Sequence, residues 1–137
     1  MNNICSWNVR GINAATKQRD VLNLLHSNKV GLAALVETRV KKDKAGEILG
    51  RMLQSWAFLT NLNWHTNGRI VVCWKPDSYM LSVLKMGAQF VHCYCTHKAT
   101  KENFFCTFVY GSNEVKERME LWAVSYTHLT LPTIYSV

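Results

Sequence analysis

The chain has 137 residues and carries 16 Lys and Arg against 9 Asp and Glu, giving a formal charge of +7 and a pI near 9.3. That length allows one domain of ordinary size with a buried core, and the basic balance favours a polyanionic partner such as nucleic acid. Five cysteines, an odd number, argue against a disulfide scaffold, and no apolar run approaches a membrane span.

The first element is a strand. Ile4, Ser6 and Asn8 alternate with Cys5, Trp7 and Val9, and Gly11 stops the run. A buried strand committed this early is expected to be central in its sheet. Asn8 stands at its carboxyl end, where ligand chemistry collects in α/β sheets. The amide oxygen suits a hard cation and the NH2 suits a phosphate; the other reading is a cap on the turn before the first helix. Ile12 to Thr16 forms a short loop with Thr16 as candidate N-cap. A helix then runs to about Ser27, with Val21, Leu22, Leu24 and Leu25 on its apolar face.

Asn28 to Val30 leads into Gly31–Val36, an apolar run of strand length that ends in Glu37. This is a β-α-β unit, and its crossover is expected to be right-handed. Two parallel neighbours then end side by side, one in Asn8 and one in Glu37. A lone Glu after a strand is usually a solvated end, but the pair makes an oxygen-ligand site for a divalent metal. The charge excess is strongest in Arg39-Val40-Lys41-Lys42-Asp43-Lys44, directly after Glu37. Such a run reads either as a solvated loop or, beside that site, as a set of phosphate contacts.

A second helix is expected from about Lys44 to Gln54, with Ile48, Leu49, Met52 and Leu53 buried and with Gly46 and Gly50 weakening it. Trp56–Leu59 reads as a short strand, and Asn61–Gly68 as a turn-rich connection carrying Trp64 and His65. Four more strands follow at Arg69–Trp74, Leu81–Lys85, Gln89–Thr96 and Phe104–Tyr110. No crossover helices separate them, so they are expected to be antiparallel. His92, Cys93, Cys95 and His97 resemble a zinc tract, but alternation puts the two cysteines on one strand face and His92 near the other. No zinc site is therefore expected. Cys5 and Cys73 sit in apolar strands as small hydrophobes. One β-α-β unit followed by a meander suits a two-sheet core flanked by helices. Tyr110-Gly111-Ser112-Asn113 ends the last strand, and Asn113 is placed to cap a helix from Glu114 to about Ala123.

Ser6-Trp7-Asn8-Val9-Arg10-Gly11 followed by Val36-Glu37-Thr38-Arg39 resembles the opening of the endonuclease/exonuclease/phosphatase superfamily. That group includes the apurinic/apyrimidinic endonucleases and the endonuclease domains of LINE-type (non-LTR) retrotransposons. The Asn-Val-Arg-Gly form and the later Val109-Tyr110-Gly111-Ser112-Asn113 look most like the plant retrotransposon endonucleases. The resemblance covers about residues 3–123. It implies an α/β fold of the α+β type, the N-terminal part of a four-layer α/β/β/α sandwich. It also implies a Mg²⁺- or Mn²⁺-dependent DNA endonuclease that nicks phosphodiester bonds for retroelement integration. Glu37 would hold the metal with Asn8 beside it, and Tyr110 and Asn113 would orient the scissile phosphate. Arg10, Arg39, Lys41 and Lys42 are the candidate nucleic-acid contacts. The parent protein would carry a reverse transcriptase domain C-terminal to this region and work inside the cell, in the nucleus.

Two departures from the family pattern bear on activity. Arg10 stands where relatives of the repair enzymes carry an acidic residue. The Gly-Asp-Phe-Asn segment that supplies the water-activating Asp, and the terminal Ser-Asp-His segment, do not occur; the only aspartates are Asp20, Asp43 and Asp77. From Val124 onward there is no Lys, Arg, Asp or Glu, and Val124–Thr133 resembles a translated sequencing adapter. The reading is therefore an incomplete domain over residues 1–123 with a non-native tail over 124–137, inactive as it stands. The other readings are a non-catalytic basic nucleic-acid-binding fragment and a phosphoesterase of the same superfamily.

Overall fold

The computed structural model describes residues 3–63, 70–111, 119 and 133–136. Its elements run β1 (Asn3–Asn8), α1 (Ala15–Ser27), β2 (Val30–Val36), α2 (Lys42–Met52), β3 (Ala57–Thr60), β4 (Ile70–Trp74), β5 (Tyr79–Met86), β6 (Phe90–His97), β7 (Glu102–Tyr110) and β8 (Thr133–Ser136). They build two four-stranded sheets, ordered β1-β2-β4-β3 and β5-β6-β7-β8. In the first, β1 and β2 are parallel, and β4 is antiparallel to both β2 and β3. The second is an antiparallel meander over β5, β6 and β7, with β8 added parallel to β7.

All seven residues of β2 are buried. Alternation divides them between two cores. Ala33 and Leu35 face the helices with Val21, Leu25, Leu49 and Leu53, whereas Leu32, Ala34 and Val36 face the second sheet with Val91, Cys93, Cys95 and Phe108. Burying a Leu or Val side chain fully is worth about 1.5–3 kcal/mol, so β2 is the strand on which both cores rest. The layers are helices, first sheet and second sheet, an α/β fold that supplies three layers of the expected four-layer sandwich.

Several expectations need correction. Among the described residues β1 lies at an edge of its sheet, not at the centre. Its residues are mostly half-buried, and the fully buried centre is β2. The strand at Ile70–Trp74 belongs to the first sheet rather than to the later meander. The reason is its two apolar faces: Val71 and Cys73 pack toward the helices, and Ile70 and Val72 pack toward the second sheet. A strand apolar on both sides fits only between two covering layers. Thr16 is not the N-cap of α1. Ala14 takes that place in an extended conformation, with no side-chain capping bond. Gln18 anchors the helix start instead, its buried amide donating to the carbonyls of Ile12 (2.9 Å) and Asn13 (3.3 Å).

The cysteines line cores. Cys93, Cys95 and Cys106 face the first sheet, and burial pushes the Cys93 thiol up to about 12. His92 points the other way, with Nδ1 2.5 Å from Thr107 Oγ1 and its ring stacked on Phe105. His97 Nδ1 is 2.8 Å from Thr100 Oγ1. The expected helix after Asn113 and the adapter-like stretch lie outside the described residues, apart from Met119 and β8. The backbone of β8 pairs Thr133 with Thr107 and Ser136 with Tyr110.

Candidate functional site

The β-α-β unit sets the site. In the parallel register Asn8 lies opposite Val36, so the next residue of the second strand, Glu37, emerges beside it. Beyond the strands the two loops stay joined. Val9 N–H donates to Val36 O (3.0 Å), Gly11 N–H to Glu37 O (2.8 Å) and Ile12 N–H to Thr38 O (3.0 Å). Four residues of these loops take the left-handed conformation: Arg10 (φ 52), Gly11 (φ 93), Glu37 (φ 57) and Arg39 (φ 58). For residues with a Cβ that conformation is unfavourable, and it persists where surrounding bonds impose it, often at functional sites. Here the ladder between the loops and the buried side chains of Val9, Ile12, Thr38 and Val40 impose it.

Glu37 is the centre. Its Oε2 accepts from Asn8 Nδ2 (2.9 Å) and from the Tyr110 hydroxyl (3.1 Å), and its Oε1 accepts from the Arg39 guanidinium (2.5 Å). Tyr110 comes from the end of β7 in the second sheet, so three strand ends from two sheets meet on one carboxylate. The Asn8 side chain has a fixed sense. Its Oδ1 accepts from Arg10 N–H (3.1 Å) while its NH2 faces a carboxylate, and the opposite orientation would satisfy neither partner. Asn8 thus offers Glu37 hydrogens and orients it.

The hydrogen bond from Asn8, and after it the one from Arg39, hold the Glu37 carboxyl below the ordinary glutamate value; partial desolvation opposes them, and the Tyr110 bond and the Arg39 charge add to the lowering. A lowered folded-state value means stability that is fully present above the unfolded value, about 4.3, and lost as pH falls through the lower folded one. The stability difference between the parent chain and Glu37→Gln should therefore shrink on acidification from about pH 7 to about pH 3. Urea unfolding at a series of pH values measures it. A difference that stays constant or grows toward acid would contradict this assignment.

The remaining expected site residues fall as follows. Arg10 is exposed on the β1–α1 loop. Lys41 is the N-cap residue of α2 and Lys42 its first residue, both exposed. Arg39, expected beside them as a phosphate contact, directs its guanidinium onto Glu37 while remaining 61 % exposed. Asn113 lies outside the described residues. Asp20 lies in α1, Asp43 in the first turn of α2 and Asp77 in the turn before β5. Among the described residues no three His, Cys, Asp or Glu side chains gather as a metal cluster. The sequence reading did not foresee the Arg39–Glu37 pair. Its signal was Gly11, whose missing side chain leaves room for Arg39: a Cβ there would stand 3.3 Å from Arg39 Cδ.

No protein-family model matches the chain, and no curated protein matches it. Solved structures do. An endonuclease/exonuclease/phosphatase family protein from Bacteroides thetaiotaomicron matches 96 % of this chain at 10 % identity with a TM-score of 0.60. D. rerio TDP2, solved with a single-strand DNA product, matches 96 % at 14 % identity and 0.64. The endonuclease domain of TRAS1, a telomere-specific non-LTR retrotransposon, matches 98 % at 8 % identity and 0.63. The chain spans 61 %, 57 % and 57 % of the length of these three. At such identities the likeness is one of backbone, and the chain has the α/β fold found in proteins of the endonuclease/exonuclease/phosphatase superfamily.

Proposed function

We propose that this chain is part of a divalent-cation-dependent phosphodiesterase acting on DNA, an endonuclease half-site of the kind used by LINE-type retroelements and most similar to the plant ones. The observation that carries the reading is the convergence of Asn8, Glu37 and Tyr110 on one carboxylate at the strand ends. A DNA product in one structural neighbour and a retrotransposon endonuclease domain among the others support it.

The donor set fits Mg²⁺ or Mn²⁺. Mg²⁺ keeps several waters and is bound through one or two carboxylates plus substrate phosphates, and Glu37 is one carboxylate held in a fixed orientation, a quarter exposed. Glu37 would hold the cation, which would supply polarisation of the phosphate and charge stabilisation of the leaving oxygen. The chain's own residues position. Asn8 and Tyr110 fix the carboxylate, and Arg10, Lys41 and Lys42 contact backbone phosphates. Tyr110 and Asn113, separated by two residues, orient the scissile phosphate. Water activation needs an Asp or a His–Asp pair, and residues 1–123 read as the domain portion without them. The parent protein is proposed to carry a reverse transcriptase domain and to act in the nucleus.

The test is DNA binding by the 137-residue chain, followed by fluorescence anisotropy of a labelled duplex against salt. Each phosphate contact adds roughly 0.9 to the slope of log affinity on log salt. Lys41→Glu with Lys42→Glu should flatten the slope by about two, and no Mg²⁺-dependent nicking of supercoiled plasmid is expected. Absence of binding at low salt by a folded sample would remove DNA as the partner. Nicking that Glu37→Ala abolishes would show that the site is complete without the missing segments.

A further inference from the structure

We infer that Arg39 is a built-in counter-ion for Glu37, which a divalent cation has to displace in order to bind. The inference rests on the reading of Glu37 as the metal ligand. The two carboxylate oxygens are held differently. Oε2 is taken by two neutral donors mounted on strand ends, Asn8 on β1 and Tyr110 on β7. Oε1 faces the Arg39 guanidinium alone among the described bonds. A cation therefore reaches the carboxylate through Oε1, the oxygen that Arg39 covers.

The backbone of Arg39 is fixed while its head is not. Its φ is 58, and its carbonyl accepts from Asn13 Nδ2 (3.0 Å). Its aliphatic stem passes over Gly11, where a Cβ would lie 3.3 Å from Cδ and 3.9 Å from Nη1. The side chain is nevertheless 61 % exposed, against 25 % for Glu37. Solvent can receive the guanidinium once it lets go. A guanidinium and a divalent cation on one oxygen would bring three positive charges within a few ångströms, so each weakens the hold of the other. Binding is thus an exchange, and Arg39 sets how much cation is needed to complete it. The released guanidinium is left at the mouth of the site, within reach of an anion.

The test is direct Mn²⁺ binding, read from loss of the free-ion paramagnetic resonance signal, on the full chain and three variants. Arg39→Met keeps the stem over Gly11 and removes the charge. It should bind Mn²⁺ about two- to fivefold more tightly, the upper part of the span expected for losing a competing exposed ion pair. Lys44→Met removes the same charge from an exposed position of α2 and should change affinity less than about twofold at physiological salt, where distant exposed charges are screened. Glu37→Gln should bind much more weakly. In a second measurement, the Arg39 side-chain ¹⁵N resonance should move on Mg²⁺ addition in the parent chain and stay fixed in Glu37→Gln. Arg39→Met matching the parent chain, or Lys44→Met tightening as much as Arg39→Met, would overturn the role of Arg39 and leave Glu37 as the ligand. Parent-like Mn²⁺ binding by Glu37→Gln would overturn the ligand reading itself, and the exchange with it.

Discussion

Phe108→Ala is expected to lower the unfolding free energy by about 3–5 kcal/mol, the usual cost of removing a buried phenyl ring together with the cavity it leaves. Phe108 is fully buried and is the largest such side chain among the described residues. It reaches from β7 into the layer between the sheets, among Leu32, Ala34, Val36, Ile70 and Val72 of the first sheet and Val91 and Cys106 of its own. Three of those first-sheet neighbours belong to β2, which is pinned by pairing on both sides and cannot move in to close the gap. Domains of this size are stable by only about 5–15 kcal/mol, so the loss is a large share of the total and should move the urea midpoint well down. Urea titration followed by tryptophan fluorescence reports it, and Phe108→Leu should recover most of the loss. A cost below about 1 kcal/mol would mean that the two sheets are not packed through this ring.

Asn61→Ala is the second large effect, expected at about 2–4 kcal/mol from buried groups left without partners. Asn61 follows β3 and is fully buried. Its Nδ2 donates to the carbonyls of Ala88 (3.0 Å) and Gly87 (3.2 Å), and its Oδ1 accepts from Ile70 N–H (3.0 Å). The first two partners lie in the β5–β6 turn of the second sheet, and the third begins β4 in the first. The side chain is therefore a second polar clip between the sheets, beside the Tyr110–Glu37 bond, in an interface made mainly of apolar contacts. Asn61→Asp separates the two halves of the clip, since it keeps an acceptor for Ile70 and loses both donors toward the turn. It should cost at least as much as the alanine variant, because a carboxylate would face two carbonyl oxygens. An alanine variant within about 0.5 kcal/mol of the parent would show that water replaces all three bonds.

Asn61 shows what the sequence could not disclose. An Asn at the start of a turn-rich stretch has ordinary turn chemistry, and nothing local says that its amide is buried against a turn 26 residues later. The sheet assignment of Ile70–Trp74 failed for the same reason: a short apolar run announces burial on both faces but not its pairing partners, which are set by long-range contacts. Asn8 beside Glu37 was legible because a single crossover joins the two parallel strands, and the consequences of that geometry are local. Tyr110 was not legible on those terms. It lies 73 residues from Glu37 and in the other sheet, and its place rested on the resemblance of its motif. The Arg39 pair was hidden by charge. In a run with Lys41, Lys42 and Lys44 it read as one more cation for a phosphate, whereas left-handed turns at Glu37 and Arg39 fold it back on its neighbour.

The burial of β2 also governs how motion reaches the site. Regions of a protein open with free energies that range from near zero at loops up to that of global unfolding in the core. Val30–Val36 is covered on both faces and paired along both edges, so it belongs to the last group. Glu37 is attached directly to that strand, while the Arg39 side chain, two residues on, is exposed between the buried Thr38 and Val40. The carboxylate is thus the stationary member of the pair and the guanidinium the travelling one. Thermal opening of the surface changes who faces Glu37 long before it changes where Glu37 is.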